Sequence, residues 1–154
     1  MPTVAQPDVL GAVIGHLLAD TVVTTITSTR IGGEYHEDWM AAGEDRPRKA
    51  LQLRQNGDVL TDPETRRTFT RIDVRCYGQT GFECMKVWNV TKPALCPGSD
   101  GRNSFTRKFC RIYGISHESG PFRTQEPDTK WPVVVGAFVV EWSEVPALFN
   151  TEGP

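Results

Sequence analysis

The clearest period in the chain lies between Arg71 and Leu95. Ile72, Val74 and Cys76 alternate with Arg71, Asp73 and Arg75, which predicts a half-buried strand. Tyr77-Gly78 ends it. Cys84, Val87, Trp88, Thr91 and Leu95 then recur at the spacing of one helix face. Thr80 is placed to cap that helix, with Glu83 three residues on, and Pro93 predicts that the regular helix stops at Lys92.

The same reading extends in both directions. Asp8 is an N-cap for a stripe of Leu10, Val13, Ile14, Leu17 and Leu18, a first amphipathic helix. The β-branched run from Thr21 to Ile31, TVVTTITSTRI, predicts extended chain broken by Gly32-Gly33. Ala50, Gln52 and Arg54 alternate with Leu51 and Leu53, a strand expected to end at the Asn56-Gly57-Asp58 turn. Thr61 to Arg67 is polar, contains Pro63 and reads as loop. Phe105 to Ser116 reads as a further strand, and His117 to Lys130 as a polar linker with two prolines. In the last strand Val133, Val135, Ala137 and Val139 oppose Val134, Phe138 and Val140. Both faces are apolar, so this strand should sit centrally, covered on both sides or by another subunit.

The fold class is therefore α+β: a mixed or antiparallel β-sheet with an N-terminal helix and a central helix packed on it. Leu10, Leu17, Trp88 and Phe138 should share one core. A chain of 154 residues fits one domain, 1–154, able to bury about 70% of its unfolded surface. Its ordered core should run from about 8 to 146, with loop 33–47 and tail 147–154 flexible.

Charge narrows the function classes. Seventeen Lys and Arg against nineteen Asp and Glu give a formal charge of −2, without the basic excess of a general nucleic-acid binder. The N-terminal MPTVAQPDVL lacks the basic start and apolar run of a signal peptide. The apolar run Trp131 to Val140 is too short to span a bilayer, so the expectation is a soluble cytoplasmic protein with no membrane partner. Cys76, Cys84, Cys96 and Cys110 show no C-x-x-C spacing and lie apart from the histidines, so buried free thiols are expected. A Cys96–Cys110 bridge stays open.

Candidate chemistry is sparse. His16 falls off the first helix's stripe and reads as a solvated histidine near a helix C-terminus. Glu34, His36 and Asp38 alternate as metal ligands might on an extended segment, but no second cluster completes a set, and a solvated loop edge is the commoner arrangement. Tyr35 and Trp39, aromatics in a polar loop, read as contact anchors for a partner, with Glu34 and Asp38 beside them. Arg66, Arg67, Arg71 and Arg75 thicken along one strand. They form either a solvated face with internal ion pairs or a face that meets acidic groups on another subunit. Cys96 to Asn103, CPGSDGRN, fits neither nucleotide fingerprint. No catalytic, metal or cofactor site is expected.

Certain local motifs recur in a definite order. After the leading helix come Arg30-Ile31-Gly32-Gly33, then Pro-x-x-Ala-Leu-x-Leu-Arg before Asn-Gly from Pro47 to Gly57. Arg71-x-Asp73-Val74-x-Cys76-Tyr77-Gly78 then runs into the central helix, followed by Glu118-Ser119-Gly120-Pro121 and the apolar last strand. From Asp8 to about Glu144 this order resembles the tail terminator, or tail completion, proteins of long-tailed bacteriophages and phage-derived particles. The resemblance implies a small structural subunit with no active site that assembles with itself into a hexameric ring. That ring would cap the tail tube, ending its polymerisation, and offer the surface that joins a head–tail connector. The partners would be a tail-tube protein and the connector, with DNA met only by passage through the bore. The expected location is the virion tail or neck, and the host cytoplasm during assembly. Two other classes remain: another head–tail connector or tail-tube protein, which should be richer in strand, and a small ligand-binding or enzymatic α+β domain.

Overall fold

The computed structural model describes residues 6–98 and 103–145. Its frame is a six-stranded sheet in the order β1-β2-β3-β6-β5-β4, with β1 (Ile31–Gly32) parallel to β2 (Ala50–Thr61) and every other pair antiparallel. β3 (Thr68–Tyr77) and β6 (Pro132–Glu144) run side by side in unbroken register from Thr68↔Trp142 to Tyr77↔Val133. The apolar β6 is thus central, as its two apolar faces require.

Three helices close one side of the sheet. Asp8 caps α1 (Val9–Leu18) by accepting from the Gly11 N–H at 2.8 Å, and Thr80 caps α3 (Gly81–Leu95) by accepting from Glu83 at 3.2 Å. Leu17, Cys84, Val87, Trp88 and Leu95 pack with Leu51, Leu53, Ile72, Val74, Cys76, Val134 and Phe138 in one core, with Leu10 at its margin. All five predicted residues of the α3 stripe are buried.

Four expectations are corrected. The run from Thr21 is α2 (Thr21–Thr27), not extended chain. Asp20 caps it by accepting from the Val22 and Val23 N–H groups, and Thr24, Thr25 and Thr27 donate their hydroxyls to carbonyls four residues back. That cap and the burial of Val23 and Thr27 override β propensity. α3 continues through Pro93 to Leu95, because the hydrogen bond that proline forgoes falls on a face where Asn89 and Pro93 are both exposed to water. β2 does not turn at Asn56-Gly57. It bulges there, with Gly57 at φ +72°, and runs on to Thr61.

The fourth correction has the widest consequence. His117 to Gln125 is not a linker but the second half of β5 (Cys110–Gln125), paired with β6 as far as Gln125↔Pro132. β4 (Phe105–Arg107) covers only its start, so this half of β5 is an edge strand, exposed or half-exposed along its length. Polar residues suit both faces of such an edge, and two register shifts, between His117 and Ser119 and between Ser119 and Phe122, interrupt its alternation.

The four cysteines are free thiols, so the Cys96–Cys110 bridge is not formed. Burial pushes the Cys84 and Cys96 thiols up to about 11 and Cys110 to about 12. His16 is half-buried, stacked on Phe105 at 4.1 Å and within hydrogen-bonding reach of the Ala94 carbonyl and Asn103, a correction to its solvated reading. Burial lowers its pKa. Among the described residues no single helix is long and apolar enough to cross a membrane. Ser99 to Arg102 of the glycine-rich turn, and the tail, lie outside the described residues.

Candidate functional site

Alternation puts Arg71, Asp73, Arg75 and Tyr77 of β3 on the face opposite the helices, beside Val139, Ala137, Val135 and Val133 of β6 and Gln52 and Arg54 of β2. Helices leave this face open, and side chains decide how much of it water reaches. Val133 and Ala137 are buried; Val135 and Val139 are half-buried.

The arginines on this face are paired within the chain. Arg67 donates to Glu141 at 2.8 Å and lies 3.8 Å over the Tyr113 ring. Arg71 reaches Asp73 at 3.1 Å and Glu118 at 3.5 Å. Arg75 reaches Glu126 at 2.5 Å. The hydrogen bond to Glu141 raises the Arg67 pKa and that to Asp73 raises Arg71; at Arg75 burial works against the charge, but Glu126 and Tyr77 outweigh it. Exposed pairs of this kind contribute little to stability. Their main effect is to occupy the guanidinium groups. Arg66 is the exception: it follows β2 in the turn at φ +59°, is exposed, and its guanidinium has no partner among the described residues.

At the end of the sheet where β2 begins and β3 ends, a second small core gathers Trp39, Ala50, Tyr77 and Val133, with Tyr35, Trp131 and Val135 packed on it. Trp39 is 3% exposed, so the loop aromatic expected as an outward anchor instead ties the loop to its own sheet. The loop is pinned elsewhere too. Glu37–Trp39 forms a 3-10 turn, Met40 bridges to Pro47, and Arg48 donates to the Asp38 and Trp39 carbonyls. Trp131 donates its indole N–H to the Asp45 carbonyl at 2.7 Å.

Beside this core opens a cleft of about 560 Å³, lined by Glu34, Tyr35, Gln52, Arg54, Arg75, Tyr77, Glu126, Asp128, Thr129 and Trp131. Its floor is a fixed polar network. The Tyr77 hydroxyl lies 2.9 Å from Glu126 and 3.1 Å from the Gln52 side-chain carbonyl, and Gln52 donates to the Gly33 carbonyl. Burial, and then the hydrogen bond to Glu126, push Tyr77 up to about 12. Tyr35 is raised too, by burial first and then by the fields of Glu37 and Asp38. Its hydroxyl is shut off from water and has no hydrogen-bond partner among the described residues.

Of the residues singled out in the sequence, Glu34, Tyr35 and Arg75 meet at the cleft. Asp38 and Trp39 lie on the adjoining loop, Arg67 and Arg71 farther along the sheet face, and Arg66 at its opposite end. Glu34, His36 and Asp38 do not form a ligand set: among the described residues no three His, Cys, Asp or Glu side chains come together at metal-binding distance. Sequence reasoning missed Gln52, Tyr77, Glu126, Asp128 and Trp131. The signal for the last three was the turn EPDTKW immediately before an apolar strand, which is hairpin chemistry.

The fold is α+β, with one sheet face covered by helices and one left open, and such a fold does not by itself fix a function. No protein-family profile matches the chain, and no curated protein matches it. Among solved structures it is similar in fold to a chain of the "Virion of native gene transfer agent (GTA) particle". The two superpose with a TM-score of 0.62 at 12% sequence identity, over 86% of this chain and 92% of the other.

Proposed function

We propose that this protein is a structural subunit of a virion-type particle, and that it acts as a tail terminator. Copies of the chain assemble into a ring, six-membered by the resemblance of its motifs, that caps the tail tube and presents a joining surface to the head–tail connector. The observation that supports this reading best is the extent of the fold likeness to a gene transfer agent virion chain, which takes in nearly all of both chains. The order of motifs from Asp8 to Glu144 points the same way, independently of the coordinates. The work of such a subunit is contact, and the open sheet face with exposed Phe122 on its edge strand offers the surface for it.

Deleting the gene in the producing strain and imaging the particles tests this directly. Overlong tails, or tails detached from heads, restored to normal by the intact gene, are the expected result. Normal joined particles from the deletion strain would refute it.

A further inference from the structure

Two features at opposite ends of the sheet are left without partners by the described residues. One is the cleft. Of its charged lining, Arg75 and Glu126 neutralise each other, which leaves Glu34 and Asp128 against Arg54 alone. The adjoining loop adds exposed Glu37, Asp38, Glu44 and Asp45 against two cations, Arg46 and Arg48, which bond main-chain carbonyls and keep their charge. The cleft end is therefore acidic. One wall is made by Tyr35 and Trp131, half-buried aromatic rings packed on each other with centroids 5.4 Å apart. Carboxylates beside aromatic faces suit a guanidinium, which stacks on the ring and is paired at its edge.

The other feature is the turn after β2. From Arg54 to Arg66 the described side chains are exposed or nearly so, including Leu60 at 60%, because β1 pairs only with Leu51 and Gln52 and leaves the rest of the β2 edge open. This arm ends in Arg66, the one guanidinium of the Arg66, Arg67, Arg71 and Arg75 group without a partner among the described residues. The ten residues of β3 separate the arm's tip from the cleft, about 30 Å of strand. Arg66 therefore cannot reach the cleft of its own chain.

We propose that the occupant of the cleft is a second copy of this chain, whose β2–β3 turn brings Arg66 onto the cleft-facing side of the Tyr35–Trp131 pair and against Glu34 and Asp128. The inference rests on the ring reading and names its contact. Different surfaces meet, so the contact is head-to-tail, and a head-to-tail contact with a closing rotation produces a ring. It covers the exposed Leu60. It also states why the paired arginines stay on the sheet face: only the unpaired one is free to recognise another molecule.

The test is the mass of the full-length protein by light scattering and sedimentation, across concentration and salt. The intact chain should associate, less so as salt rises. Arg66→Glu and the double change Glu34→Lys with Asp128→Lys should each weaken association about tenfold or more. Combining all three changes should restore at least part of it. Circular dichroism checks that each variant keeps its fold; these positions are exposed or line an open cleft. Association of Arg66→Glu at full strength would overturn the contact while leaving the ring reading intact. Weakening by all variants without rescue would show that the two ends do not meet. An intact chain that stays monomeric at every concentration would also overturn the contact; particles with normal tails from the deletion strain would overturn the ring reading itself.

Discussion

Gly136 sits where α3 crosses the sheet, and replacing it tests how the core is built. A Cβ added there would lie 2.4 Å from two carbons of the Trp88 indole and 2.9 Å from the Ser119 carbonyl oxygen. Ordinary carbon contacts begin about 1 Å farther out, so the ring must retreat by that much. It has little room: Trp88 is 3% exposed, with Phe138 at 5.6 Å and His117 at 5.7 Å between ring centroids. Overpacking of this kind costs about 1–3 kcal/mol, and the better strand propensity of alanine returns less than about 1. Gly136→Ala should therefore destabilise by about 2 kcal/mol, lowering the melting temperature by about 4–8 °C for a chain of this size. Trp88→Phe removes the colliding ring at the cost of a cavity. The double variant should be more stable than the sum of the two single losses by about 1 kcal/mol, measured by urea denaturation in a double-mutant cycle. Strict additivity, or a melting temperature unchanged by Gly136→Ala, would show that the indole does not rest on Gly136.

Three further outcomes follow from the same packing. With thiol pKa values of about 11 to 12 at Cys84, Cys96 and Cys110 and higher than normal at Cys76, alkylation at pH 8 should be slow in the folded protein. Unfolding without reductant should then yield four labels by intact mass, and two labels would contradict the free-thiol assignment. Asp20→Ala removes the cap of α2 and should cost about 1 kcal/mol in thermal unfolding. The Tyr77 phenol, raised to about 12 when folded, holds its proton where the unfolded chain, with a pKa of about 10, has lost it. Its contribution is full below pH 10 and is lost as pH rises through 12, so Tyr77→Phe should flatten the stability profile in that window; identical alkaline slopes would count against the buried hydroxyl network.

Much of the fold was legible because its signals are local. The β3 alternation, the α3 stripe and the caps at Asp8 and Thr80 each depend on residues within a few positions of one another. Most of the failures trace to contacts that outweigh local strand, turn or linker preference. The TVVTTIT segment has strand propensity, but Asp20 and the α3 surface make it helix. The β2 bulge at Gly57 is chemically a turn that β3 continues to pair across, with Thr70 donating to Asp58 at 2.6 Å. His117 to Gln125 carries no strand period at all, and only the presence of β6 alongside makes it a strand.

That last misreading also explains why the candidate site was half visible. The row Arg67, Arg71 and Arg75 is plain in the sequence, but two of its partners, Glu118 and Glu126, belong to β5 and the turn that follows it, the segment read as a linker. With that segment unplaced, the arginines look like an unpaired basic face waiting for another subunit. Once it lies beside β6, the row is satisfied within the chain, and Glu126 becomes the floor of the cleft through Arg75 and Tyr77. The same strand pairing therefore removes one contact surface and builds another. Trp39 moves in the same sense, from expected anchor to buried support, and Trp131, read in the sequence only as the start of an apolar run, takes a half-buried position beside Tyr35. In the contact proposed above, recognition lies at the two ends of the sheet face and not in its middle, with Arg66 at one end and Glu34 and Asp128 at the other.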